Sequence, residues 1–126
     1  MGKKRGVILD GYTLDHTIPE TEYHEAVTLK FRPVTKLEYA DITDRISKAA
    51  SPAKGEEIAA KVIVNQVKEW DLKAYDPADP DNDEKASPLK ISEENAGKLE
   101  PHLSASIFNL VMGYEPAMNR EQATKN

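Results

Sequence analysis

Between Thr21 and Arg32 the side chains alternate in character. Tyr23, Val27, Leu29 and Phe31 fall on one side, and His24, Thr28, Lys30 and Arg32 on the other. Glu25 is the one polar intruder on the apolar side, and Ala26 is the small apolar residue opposite. A period of two predicts a half-buried strand of an antiparallel sheet over this segment. Pro33 ends it, because proline has no N–H to give to a ladder. Upstream, Val7-Ile8-Leu9 and Tyr12-Thr13-Leu14 flank Asp10-Gly11. Asp-Gly supplies the positive φ angles of a tight turn, so a hairpin is expected there.

Beyond Pro33 the spacing changes to three and four. Thr35-Lys36-Leu37-Glu38 has the form of a capping box. The Thr35 side chain can accept the N–H of residue 38 while Glu38 reaches back. Tyr39, Ile42, Ile46 and Ala49 then make one apolar stripe, and Ser51-Pro52-Ala53-Lys54-Gly55 breaks the helix. A second helix is expected from Glu56 to Glu69 or Trp70. Ile58, Ala59, Val62, Ile63, Val64 and Val67 cover so much of its middle that it must pack on more than one side. Glu56 and Glu57 would then suit its positive N-terminal end.

Residues 73–88 hold three prolines and five acids, which predicts a solvated, mobile acidic loop. Pro88 to Ile91 is expected to be extended, with Ser92 capping a short helix weakened by Gly97. The last helix should run from Pro101, tolerated in a first turn, to Met112, with Gly113 as its C-cap. Leu103, Ile107, Leu110 and Val111 form its stripe, widened by Phe108 and Met112. The expected architecture is α+β: a small N-terminal antiparallel sheet or hairpin followed by a cluster of three to four helices. The 126 residues are expected to make one domain, with loose termini at 1–6 and 115–126.

Composition narrows the functions. The absence of cysteine excludes disulfide scaffolds, Cys-based zinc sites, Fe–S clusters and thiol nucleophiles. No apolar run approaches the ~20 residues that span a bilayer, and Val7-Ile8-Leu9 is too short for the apolar part of a signal peptide. A cytoplasmic protein is expected. The net charge is −5, and its excess lies wholly in the second half of the chain. That disfavours phosphate backbones, and the basic cluster Lys3-Lys4-Arg5 reads as a solvated terminus. Neither a nucleic acid nor a membrane is expected as partner.

Local signs of catalysis are weak. Asp79, Asp81 and Asp83 match the alternating ligands of an EF-hand loop, but Glu84 stands where its glycine should be and Lys90 where its bidentate Glu should be. His16, His24 and His102 are far apart and show no zinc spacing. Ser104 and Ser106, near His102, sit on a helix with no oxyanion hole beside them. All six glycines are isolated, so no phosphate-cradling loop is expected. No catalytic residue, metal or cofactor is assigned. Trp70 either anchors a helix end to the core, the favoured reading, or serves as an interface hot spot. Asp71 behind it is expected to accept from loop N–H groups or from the Ser92 region.

Phe31-Arg32-Pro33-Val34-Thr35 with Glu38 is followed by a segment closing on Val67-Lys68-Glu69-Trp70-Asp71-Leu72. Pro88-Leu89-Lys90-Ile91-Ser92, Glu94-Asn95, Leu99, Pro101, Leu103, Ile107 and Gly113 come after it. Over residues 31–113 this pattern resembles the small tail assembly chaperones of long-tailed bacteriophages. The longer acidic loop after Leu72 and the N-terminal strands depart from that pattern. The resemblance implies a non-enzymatic helper that binds the tape-measure protein, keeps its helical apolar surface in solution, and aids recruitment of tail-tube subunits. It implies a place in the cytoplasm of the bacterial host and absence from the mature particle. Trp70, Leu103, Ile107, Phe108, Val111 and Met112 are the candidate partner-binding residues, and homo-oligomerisation is an open possibility. The alternative is a structural virion component, a tail-tube or tail-completion protein, suggested by the β-rich first third.

Overall fold

The computed structural model describes residues 6–114. The expected loose termini therefore lie outside the described residues, Gly6 excepted. Three strands form an antiparallel sheet in the order β1 (Leu14–Ile18), β2 (Val27–Phe31), β3 (Val67–Trp70). The central strand buries Val27, Leu29 and Phe31 on one face, as the alternation predicts. On the other face the Thr17 and Thr28 hydroxyls meet across the strands at 3.0 Å. Pairing runs from Leu14 against Phe31 to Ile18 against Val27, which makes residues 19–26 the connection. The strand expected from Thr21 is thus shorter, and Tyr23 and His24 lie in that loop.

The expected hairpin at the start is not formed. Its turn is present, with Tyr12 N–H donating to Leu9 O at 3.0 Å and Gly11 at φ 86°. The flanking runs do not pair, and Val7 and Leu9 are each 67% exposed. Two three-residue strands with no face to bury gain little. Leu14 instead opens β1 and pairs with β2, where the sheet covers a core.

The first helix, α1 (Lys36–Ser47), starts at the expected capping box. Glu38 N–H donates to Thr35 Oγ1 at 3.2 Å, and Thr35 N–H donates to Glu38 Oε1 at 2.8 Å. Arg32, at the end of β2, adds Nη1 at 3.0 Å from the same carboxylate. Thr35 N–H foremost, with the Arg32 guanidinium beside it, holds Glu38 below the usual carboxylate range. Ile42 is buried and Ile46 half-buried, while Tyr39 lies edge-on to Tyr114, with ring centroids 5.8 Å apart.

The second helix differs at both ends from the expectation. It is α2 (Pro52–Gln66), capped by Ser51, with Pro52 in its first turn and Gly55 inside the helix. Ser51-Pro52 reads as a breaker of α1, and it is equally an N-cap followed by proline at the first helical position. Its first turn holds no acid, so Glu56 and Glu57 are not there to meet the dipole. At the far end the chain changes to β3 without a loop. Gln66 makes this possible: its carbonyl accepts Arg32 N–H at 2.8 Å and its Nε2 donates to Arg32 O at 2.6 Å. Val67 and Trp70 are therefore strand residues and not a helix end. One residue of β3, Lys68, is bulged out where the register slips between Lys30 and Phe31.

The acidic stretch folds on itself. Strands β4 (Lys73–Ala74) and β5 (Ser87–Pro88) close its base, and a 3-10 turn covers Asp83–Lys85. Asn82 caps that turn, and Lys85 lies 3.5 Å from Asp79. Beyond it come α3 (Glu93–Ala96), capped by Ser92, and α4 (Pro101–Met112), ended by Gly113 at φ 89°. Val34 N–H donates to Val111 O at 3.1 Å, tying the last turn of α4 to the link between β2 and α1. The core lies between the buried face of the sheet, the second half of α2 and one face of α4. Val27, Leu29, Ile63, Ile107 and Val111 are its most enclosed side chains.

Candidate interaction groove

On the other side of α4 the helices do not close. The first half of α2 offers Pro52, Gly55, Glu56, Ala59 and Ala60, a spacing of three and four that keeps them on one face. Opposite, α4 offers Pro101, Ser104, Ala105, Phe108 and Asn109 at the same spacing. Ile46, from the last turn of α1, and Ala49, just beyond its C-cap, form one end, and Ala96 and Leu99 contribute from α3 and the turn after it. Together they bound an open groove of about 960 Å³. Its walls are small because the facing positions are alanine, glycine and serine, which leave the space that leucine or valine would fill. Gly55 follows the same logic, since a Cβ there would meet only the ends of Ile46 and Ala49 at ordinary contact distance.

Charge on the groove is simple. Among the described residues Glu56 is the one charged side chain on its walls, and it has no ion-pair partner there. Its neighbour Glu57, by contrast, is held by Lys54 at 3.2 Å.

The six candidate partner-binding residues separate into two groups. Leu103, Ile107, Val111 and Met112 are enclosed in the core, so within this fold no partner can reach them. Of the two uses open to a wide apolar stripe, a private core or a partner's helix, these four residues serve the core in this fold. Phe108 is half-buried and lies on the groove. Trp70 is half-buried elsewhere, at the end of β3, where its Nε1–H donates to Leu89 O at 2.7 Å. It fastens the exit of the acidic loop to the sheet. Asp71 does not reach the Ser92 region; its Oδ1 accepts Thr28 N–H at 3.0 Å and extends the edge of the sheet.

His102 is engaged at the start of α4. Its ring stacks on Tyr23 with centroids 3.7 Å apart, and its Nδ1 lies 2.6 Å from Glu100 Oε2. Glu100 caps the helix by accepting Leu103 N–H at 2.9 Å. Among the described residues no three His, Asp or Glu side chains come together as metal ligands. No described helix is long and apolar enough to cross a membrane.

Sequence reasoning passes over the groove because its walls are alanines and glycines, which carry no periodic signal of their own. The available sign is the pairing of Pro52, Gly55 and Ala59 on one helix with Pro101, Ala105 and Phe108 on another. That pairing becomes visible only once the two helices are known to be neighbours. Compared with protein-family models, curated proteins and solved structures, the chain matches none of them.

Proposed function

We propose that this chain is a non-enzymatic assembly chaperone of a long-tailed phage, acting in the cytoplasm of the bacterial host on the tape-measure protein and leaving before the particle is complete. The observation that carries this reading is the groove between α2 and α4, with its apolar, small-residue walls and single acid. Such a surface suits a packed side-chain row of another protein better than a polar metabolite, which needs several converging hydrogen-bond partners. The sequence pattern over residues 31–113 points to the same class. Several residues of that pattern are joints of the fold: Arg32, Thr35 and Glu38 link strand to helix, and Trp70 meets Leu89.

The test is co-purification of the full chain with the tape-measure protein of the same genome. Stable capture, with the chain absent from purified particles, is the expected result; failure to recover the tape-measure protein counts against the reading. A structural tail component is the second reading, favoured by β1, which stands at a sheet edge where another strand can add. Finding the chain in mature particles selects it.

A further inference from the structure

We infer that the groove between α2 and α4 receives two turns of an amphipathic helix from a partner protein, with a lysine or arginine of that helix set against Glu56. This rests on the proposed binding role and names the chemistry of what is bound.

Size comes first. The α2 wall from Pro52 to Ala60 and the α4 wall from Pro101 to Asn109 are each about 12 Å long at a rise of ~1.5 Å per residue. Two turns of helix are about 11 Å long and ~10 Å across, which matches the length of those walls.

Backbone chemistry then selects a helix over an extended peptide. Most of the groove wall is helical, and those helices already use their own N–H and C=O groups. An extended segment laid between them would find few partners for its backbone, whereas a helix arrives with its hydrogen bonds made. Alanine and glycine walls allow the close axial approach of ~8–10 Å that packed helices adopt, and Phe108 supplies one large contact. Charge fixes the remaining feature. Glu56 is the charged group on the walls among the described residues, it is unpaired there, and the chain as a whole carries −5. A basic side chain beside the apolar row of the incoming helix complements both.

The full chain is titrated with three synthetic peptides of about 15 residues, long enough to hold a helix. One has leucines at i, i+4 and i+7 flanked by lysines, the second has glutamates for the lysines, and the third has serines for the leucines. The expected result is saturable binding of the first peptide, at least tenfold weaker binding of the other two, and NMR shifts centred on Ala59, Ala105 and Phe108. Ala105→Trp fills the groove from an exposed position and should weaken the first peptide by more than tenfold while the circular dichroism spectrum is kept. Glu56→Lys should reverse the preference between the lysine and glutamate peptides. Binding of none of the peptides, or binding indifferent to both substitutions, overturns the inference. So does self-association of the chain that Ala105→Trp abolishes, which would make a second copy the occupant. If the lysine peptide binds but the tape-measure protein is not captured, the groove assignment stands and the proposed function fails. Capture of the tape-measure protein undiminished by Ala105→Trp has the opposite meaning.

Discussion

The two faces of α4 are built from different residues and meet different surroundings. Toward the sheet it presents Leu103, Ile107, Leu110 and Val111, all enclosed. Toward the groove it presents Ser104, Ala105, Phe108 and Asn109, of which Ala105 is exposed and the others half-buried. The same division runs through α2, whose second half buries Val62, Ile63 and Gln66 while its first half lines the groove with Gly55, Ala59 and Ala60. Branched side chains close one side of the helix pair, and small ones leave the other open. Stability and binding are therefore assigned to opposite faces of α4 and to the two halves of α2, and substitutions should separate them.

The sharpest way to break that separation is Ile107→Ala. Ile107 is fully enclosed, so its truncation removes buried methyl groups and leaves a cavity, at a cost of about 3–4 kcal/mol. Urea denaturation measures it, with Ala105→Ser as the matched change on the open face, expected to stay within ~0.5 kcal/mol. Equal losses from the two substitutions would mean that the faces do not differ as described.

A smaller effect is expected where the closed side meets the acidic loop. Trp70→Phe keeps most of the ring but loses the Nε1–H that reaches Leu89 O. Leaving that half-buried carbonyl without its donor should cost about 1–2 kcal/mol, read by the same denaturation. It should leave the helix-peptide affinity unchanged, because Trp70 is not on the groove. A stability change below ~0.3 kcal/mol would remove the bond from the account.

These contrasts bear on what could be read from the chain beforehand. Elements whose signal is local were legible: the Thr35–Glu38 capping box, the alternation of Val27, Leu29 and Phe31, and α4 from Pro101 to Gly113. Elements decided by distant partners were not. Val67-Lys68-Glu69-Trp70 has apolar residues three apart, which suits a helix end and a bulged strand equally. It becomes a strand because Gln66 and β2 hold it there. Val7-Ile8-Leu9 has the composition of a strand and a good turn beside it, yet β1 begins at Leu14 because only β2 offers it a buried face. The stripe of α4 is legible, but not what covers it, since periodicity marks a buried face without saying whose surface buries it. The groove was hidden for the converse reason: its walls are defined by the side chains they lack.

The smallest effect concerns the start of α4, where its two faces share one cap. Burial pushes the Glu100 carboxyl up, but the backbone N–H and ring of His102 and the N–H of Leu103 outweigh it, and its pKa falls from 4.5 to about 2. A carboxylate whose pKa is depressed by folding stabilises the folded state above its unfolded pKa, and that contribution is lost as the pH falls through the folded value. It should therefore be complete above pH ~4.5 and disappear toward pH 2. Glu100→Gln keeps an oxygen able to accept Leu103 N–H but has no charge to titrate. Its stability should lie below that of the parent at pH 6 and converge on it as the pH approaches 2. Glu38 is depressed in the same sense, so part of the acid slope should survive in the variant. Parallel pH profiles for the two proteins would show that the Glu100–His102 contact carries no stability. The difference is expected to be modest, because the cap lies near the surface, where water and salt weaken every charge it holds. If it holds, acid weakens a cap that sits beside the Tyr23–His102 stack, where the loop between β1 and β2 meets the start of α4.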